Sequence, residues 1–310
     1  MIDAATPTAA AARRPLTPHV ALNRVTVLVN PLSGSVGPGA AAEVEALLAD
    51  YDCAATVTAL EGGRIAEQID AALDDAPDVL FVLAGDGTAR SVAARSGSKG
   101  PLVAPLPGGT MNMLPKALYG TADWKQALRL ALEEGAPQPV AGGVVEGEAF
   151  YCAAILGSPA LWAPAREAIR TGKVKQAWAH ARRALKRAFT GRIRYSLDGA
   201  RKRPAEALVL ISPMISRVMD APVGLEAAAM NPADAAQAFR LAARALFDDW
   251  RHDPNVTTRP ARWVTVSARS KIPAVIDGEP MLLGRDASIG FLPRAFMALA
   301  PLPPAGEDSV

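Results

Sequence analysis

Three short stretches set glycine and hydroxyl side chains at the point where an apolar run ends: "VNPLSGSVG" from residue 29, "AGDGT" from residue 84 and "PLPGGTMN" from residue 105. Glycine lets the backbone come close to a ligand and take positive φ, and backbone N–H groups at such turns suit an oxyanion. Ser33, Thr88 and Thr110 offer hydroxyl donors to the same end, and Asp86 offers a carboxylate that could hold a divalent cation directly or through water. Alone, "GDGT" is an ordinary strand-to-helix turn with Asp as its cap, and "NPLSG" is a plain loop. The order and spacing of the three turns carry the signal: a cradle for phosphate.

Such turns need strands to hold them. From Arg24 to about Gly135 short β-branched runs alternate with Ala-rich helical stretches: "VTVLV", "AAAEVEALLAD", "AATVTAL", "GGRIAEQIDAAL", "DVLFVL", "TARSVAARS", "PLVAPL", "TMNMLPKALY" and "DWKQALRLALEE". That alternation predicts βαβ units and a mostly parallel sheet, whose ligands bind at the carboxyl ends of the strands. After Pro137 the runs become short and turn-bounded ("QPVAGGVVEG", "AFYCAAIL", "IRYSLDG", "AEALVLIS", "ARWVTVSARS", "IPAVIDGEPMLL", "ASIGFL"). They predict an antiparallel second domain, interrupted by helices near 163 to 189 and 232 to 250. The expected organisation is a disordered tail over 1–20, an α/β domain over 21–136, a β-rich domain over 137–295 and a C-terminal tail over 296–310.

Composition removes other chemistries. The 310 residues are 50% hydrophobic, enough for two medium cores. Cys53 and Cys152 make no disulfide framework, and His19, His180 and His252 have no ligand spacing. No apolar run reaches the length of a membrane span, and "MIDAATPTAAAARRPLTP" lacks the apolar core of a signal peptide, so a cytoplasmic protein is expected.

With these turns the sequence resembles the diacylglycerol kinase catalytic-domain superfamily, which includes bacterial lipid kinases and the sphingosine and ceramide kinases. The family's Asn-Pro-x-Ser-Gly turn is met by Asn30, Pro31, Leu32, Ser33 and Gly34. Its Gly-Gly-Asp-Gly-Thr turn is met by Ala84, Gly85, Asp86, Gly87 and Thr88, and its Gly-Thr-x-Asn turn, preceded by Gly108, by Gly109, Thr110, Met111 and Asn112. Its late Asp-Gly-Glu is met by Asp277, Gly278 and Glu279. The resemblance implies that the α/β domain over 21–136 binds nucleotide and that the β-rich domain over 137–295 is an antiparallel β-sandwich for the lipid substrate, with ATP, Mg²⁺ and a lipid hydroxyl as acceptor meeting in the cleft between them. It also suggests Thr58 as a further nucleotide contact. Four departures stand out: Ala84 for the first glycine, Ala89-Arg90-Ser91 for a hydrophobic residue followed by Asn-Glu, Met113 for an aspartate, and Val223 for an acidic residue.

Phosphoryl transfer needs positioned phosphates, a cation against their charge and a carboxylate to take the acceptor's proton. Glu279 is the candidate base, with Asp277 beside it as an orienting or metal-linked carboxylate and Asp86 as the Mg²⁺ ligand. "IDGEP" is also a strong hairpin signal in its own right.

Between Arg166 and Arg203 thirteen basic residues face two acidic ones. Taken as a helix, "VKQAWAHARRALKRAF" gathers Trp178, Leu185 and Phe189 on one arc and Arg182, Arg183, Lys186 and Arg187 on the remainder. A basic amphipathic helix bearing Trp suits an anionic membrane surface, and suits equally a surface helix packed on the β-domain. No nucleic-acid module accompanies it. The expected activity is an ATP-dependent lipid kinase acting on a lipid such as diacylglycerol or ceramide, peripherally associated with the membrane. Two alternatives are an enzyme of the NAD kinase kind with a soluble substrate, and a catalytically silent lipid-binding protein of the same fold.

Overall fold

The computed structural model describes residues 13–157, 192–216, 223–230 and 256–302. From Arg24 to Glu134 its elements follow the expected alternation: β1 (Arg24–Val29), α1 (Ala40–Leu48), β2 (Ala54–Ala59), α2 (Ile65–Asp74), β3 (Val79–Ala84), α3 (Asp86–Ser96), β4 (Leu102–Pro107), α4 (Met113–Tyr119) and α5 (Trp124–Glu134). There follow β5 (Gly135–Val145), β6 (Glu148–Phe150), β7 (Ala153–Gly157), β8 (Ile193–Leu197), β9 (Arg203–Ala205), β10 (Ala207–Ile211), β11 (Leu225–Met230), β12 (Val256–Ala261), β13 (Trp263–Ser267), β14 (Ile272–Ile276), β15 (Glu279–Leu283) and β16 (Asp286–Pro301).

The chain divides into two compact units. The first comprises the described residues up to Gly85, Gly100–Gln138 and the chain from Ala298 onward. Its strands β2, β1, β3 and β4 lie side by side and parallel. All six residues of β3 are buried, which explains why that strand is an unbroken apolar run rather than an alternating one. Val25, Val27, Val29, Phe81 and Leu83 present one face to Val44 and Leu48 of α1 and to Leu128 and Leu132 of α5. Because β2 and β3 flank β1, the chain changes direction across the sheet between β1 and β3, and the turns after those two strands stand at that switch point.

The second unit comprises α3, with Asp86–Lys99, and Pro139–Met297. One of its sheets runs β16, β13, β8, β9; the other runs β12, β11, β10, β7, β14, β15, all antiparallel. Alternate residues of both sheets, among them Tyr195, Val264 and Ile289 of one and Leu156, Leu208 and Ala227 of the other, form a single core. This is the expected sandwich. On the outer face of the second sheet Val209, Ile211 and Ala228 form a smaller cluster.

Three expected boundaries move. Residues 13–20 are not a disordered tail: the Arg14 N–H donates to Asp50 O at 2.7 Å, the Thr17 N–H to Leu132 O at 2.7 Å, and the Thr17 hydroxyl to Gly135 O at 2.6 Å. Leu16 and Val20 pack there on the apolar cluster shared by α1 and α5. The expected tail from residue 296 is strand as far as Pro301, because Phe296, Ala298, Leu299 and Ala300 are buried and Ala298 pairs with Val103 of β4. Residues 86–99 group with the second unit rather than the first, because α3 packs against β6. The expected helices near 163 to 189 and 232 to 250 lie outside the described residues.

Candidate active site

In the first unit the turns after β1 and β4 meet beside Gly85 at the end of β3. The Asn30 side chain accepts from Leu32 N at 3.1 Å and the Asn30 carbonyl accepts from Ser33 N at 3.0 Å, so Asn30 and Pro31 open a tight turn at the end of β1. The Asn30 N–H in turn donates to Leu83 O of β3 at 2.9 Å. From this turn Ser33 Oγ donates to Gly108 O at 2.8 Å, and Ser35 N donates to the same carbonyl at 3.2 Å. The Ser33 hydroxyl, expected to be a ligand donor, therefore fastens the first turn to the third.

Glycine is required at Gly108, and the fit is tight at Gly85 and Gly34. A Cβ at Gly108 would stand 2.7 Å from Val36 Cγ2 and 2.8 Å from Ala84 N. At Gly85 it would stand 3.2 Å from Ser33 Oγ, and at Gly34 3.3 Å from Thr110 Oγ1. The third turn closes on itself: Gly109 N donates to Asn112 Oδ1 at 2.7 Å, and Asn112 Nδ2 donates to Gly109 O at 3.0 Å. Asn112 is buried with φ +51, in the left-handed region that Asn tolerates better than most residues. Thr110, by contrast, is exposed. Thr58 is the penultimate residue of β2, opposite Leu28 of β1, half-buried at the carboxyl end of the edge strand.

In the second unit Asp86, Gly87 and Thr88 form the first turn of α3, where unsatisfied N–H groups and the helix dipole favour negative charge. Glu279 opens β15, and its carboxylate comes to this turn: a Cβ on Gly87 would lie 3.8 Å from Glu279 Oε1. Glu279 is solvent-exposed, as an acid-base group meeting an incoming substrate must be.

The link from β14 to β15 is the two-residue hairpin that "IDGEP" allowed, with φ +46 at Asp277 and +90 at Gly278. Asp277 has a further task. Its Oδ2 accepts from Tyr151 N at 2.8 Å, and its Oδ1 accepts from Cys152 N and Ala153 N at 2.9 Å each. Three backbone donors occupy the carboxylate, so Asp277 orients the hairpin that carries Glu279. Burial raises the Asp277 carboxyl above its ordinary range, opposed by the three N–H groups and by the Arg90 guanidinium. The Cys152 thiol is pushed up by burial first, then by the Asp277 and Asp86 charges, so it is an inert apolar filler. Burial likewise pushes up the Tyr151 hydroxyl, whose ring meets Phe296 edge-on at 5.0 Å between centroids.

Arg90 was legible only as a departure from the family's pattern. It stands one turn after Asp86 on α3, close enough to shift both Asp277 and Tyr151, and its buried Nη1 has no hydrogen-bond partner among the described residues. The cue was available in sequence: an i, i+4 Asp and Arg pair on a short helix shares one face.

Among the described residues no three His, Cys, Asp or Glu side chains gather as a metal cage. Mg²⁺ asks for less, one or two carboxylates with the rest from water and substrate phosphate, and Asp86 at the mouth of α3 fits that donor set. Trp178, Arg182, Arg183, Lys186 and Arg187 lie outside the described residues. No helix among the described residues is long and apolar enough to cross a membrane.

Residues 24–143 match the family model of the diacylglycerol kinase catalytic domain. No curated protein matches the chain. A solved structure of a diacylglycerol kinase from Bacillus anthracis str. Sterne shares 19% identity over 91% of this chain and 99% of its own, with a TM-score of 0.69. Two further structures from that strain, assigned provisionally as diacylglycerol kinases, share 17% and 18% identity over 91% and 90% of this chain and 99% and 98% of their own, with TM-scores of 0.67 and 0.64. At such identities the likeness is one of fold. Residues 24–143 therefore resemble the diacylglycerol kinase catalytic domain, and the likeness of fold to the solved structures extends over most of the chain.

Proposed function

We propose that this protein is an ATP-dependent lipid kinase that transfers the γ-phosphoryl group to a hydroxyl of a membrane lipid such as diacylglycerol or ceramide. The observation that carries the reading is the fastening of the first glycine turn to the third by Ser33, where Gly108 leaves no room for a side chain and Gly85 leaves little. Backbone N–H groups and the Thr110 hydroxyl of such a cradle suit nucleotide phosphates, which carry several negative charges and need close backbone approach.

In this reading the Glu279 carboxylate takes the proton of the acceptor hydroxyl while that oxygen attacks the γ-phosphorus. The bond from the γ-phosphorus to the bridging oxygen of ADP breaks, and ADP leaves with the electron pair. Asp277 acts at one remove, by fixing the hairpin. Asp86 is the residue that would hold Mg²⁺, which supplies positive charge against the phosphates. Thr88 and Thr58 are assigned to the nucleotide on the family's pattern. We assign to Trp178, Arg182, Arg183, Lys186 and Arg187 the approach to an anionic membrane surface, on the segregation of apolar and basic residues in that segment.

The test is incubation of the purified protein with γ-labelled ATP, Mg²⁺ and a total lipid extract, followed by solvent partition. Label should enter the organic phase as a lipid phosphate. Label in a water-soluble product would support the NAD kinase kind of activity instead, and no transfer at all, with ATP bound, would support the silent lipid-binding alternative.

A further inference from the structure

We infer a second anion site in the second unit, separate from the glycine turns, that takes a phosphate monoester. β9 is the outer strand of one sheet of the sandwich and β12 the outer strand of the other. Arg201 and Arg203 from the β8–β9 hairpin, Arg259 from β12, and Tyr195, Leu197 and Ala200 line one cavity of about 60 Å³. That space, open to solvent, has room for the oxygens of a phosphate group.

The cavity is built from a fixed backbone. Asp198 and Gly199, with φ +49 and +77, make a two-residue hairpin turn, closed by Ala200 N donating to Leu197 O at 2.9 Å. The Ser196 hydroxyl also donates to Ala200 O. Asp198, the carboxylate of this turn, is held by Arg262 N at 2.9 Å and Trp263 N at 2.8 Å. Tyr195 stands opposite Arg203 in register, and Tyr195 and Leu197 are each 7% exposed, so the cavity rests on buried side chains of the sandwich core.

Arg201, Arg203 and Arg259 bring three like charges, which repel one another, to one cavity, and among the described residues no carboxylate lines it. Among the described residues none of the three pairs with an acidic side chain. A ligand carrying two negative charges on several oxygens relieves the repulsion and offers each planar fork an acceptor, which is phosphate chemistry rather than carboxylate or halide chemistry. A dianionic monoester meets three cations better than a diester with one charge. Free phosphate and a phosphomonoester lipid headgroup share that chemistry.

The full chain is compared with R201Q/R203Q/R259Q, with the single R259Q, and with R269Q/K271Q/R285Q, which removes three exposed cations of the same unit outside the cavity. Equilibrium dialysis with labelled inorganic phosphate counts equivalents bound, so phosphate held by the glycine turns appears in every variant alike. Co-sedimentation uses phosphatidylcholine vesicles containing phosphatidic acid or, at equal surface charge, phosphatidylglycerol. The cavity variant should lose one equivalent of phosphate, or about tenfold in preference for phosphatidic acid over phosphatidylglycerol, R259Q should lose about threefold, and the control should lose neither. Loss in the dialysis arm alone identifies a soluble ligand, and loss in the vesicle arm alone a lipid headgroup; both support the site. Equal behaviour of the cavity and control variants in both arms would overturn it.

Discussion

Asp277 and Ala153 exchange hydrogen bonds in both directions: the Asp277 N–H donates to Ala153 O at 2.9 Å, and the Ala153 N–H returns to Asp277 Oδ1 at 2.9 Å. This pairing locks the β14–β15 hairpin to the start of β7, and with it the position of Glu279. Asp277→Asn keeps the left-handed turn preference but sets an amide N–H against one of the three backbone donors. We expect a loss of about 1 to 3 kcal/mol in stability, since a carboxylate accepting backbone N–H bonds is replaced by a mismatched neutral group. Urea unfolding measures it, and nucleotide affinity should stay near that of the wild type. A stability within error of the wild type would return Asp277 to the catalytic role.

Glu279→Gln preserves size and removes the proton acceptor. On the proposed reaction kcat should fall about 10² to 10⁴-fold with ATP affinity almost unchanged, a pattern that marks a group needed only in the transition state. Steady-state kinetics with calorimetric ATP binding tests this, and full activity would move the base to Asp86.

The glycines should separate into two kinds. Gly108→Ala drives a Cβ into Val36 and the Ala84 backbone, and overpacking of that sort costs about 1 to 3 kcal/mol or more. Gly87→Val meets only open space and Glu279 Oε1 at ordinary contact distance, so the fold should survive. Thermal unfolding beside ATP titration distinguishes them: Gly108→Ala should lower Tm, whereas Gly87→Val should spare Tm and lose nucleotide binding.

Tyr51, Glu133 and Arg14 give a pH-dependent term. The Tyr51 hydroxyl donates to Glu133 Oε1 at 2.5 Å and Arg14 Nη1 donates to the same oxygen at 3.0 Å. The Tyr51 hydrogen bond, with Arg14 beside it, holds the Glu133 carboxyl below its ordinary value of 4.5, and burial with Glu133 pushes Tyr51 up to about 12. A folded pKa below the unfolded one means that the unfolded chain binds more protons in that window. The contribution is therefore present above pH 4.5 and is lost as pH falls through the lowered value. Tyr51→Phe should be less stable than the wild type by about 1 kcal/mol at neutral pH, and the gap should narrow in acid. A gap that stays constant from neutral pH to pH 3 would refute the assignment.

Much of the molecule was written locally. β3 is apolar throughout because both its faces are covered, and the alternation of such runs with amphipathic stretches such as α5 fixed the α/β half. Turn chemistry did the same for "LDG" and "IDG", since Asp-Gly between apolar runs takes the positive φ pair of a tight hairpin whatever surrounds it. What the sequence could not hold was any relation set by long-range packing. That Ser33 would spend its hydroxyl on Gly108, 75 residues away, depended on how β1 and β4 are ordered in the sheet. That Asp277 would serve three N–H groups of residues 151–153 depended on β14 lying beside β7. Strand neighbours are chosen by the burial of whole faces, a sum over many residues, so no window of sequence contains the choice. The cavity of Arg201, Arg203 and Arg259 is the plainest case: its walls are the edges of two sheets, and only the closing of the sandwich brings them together.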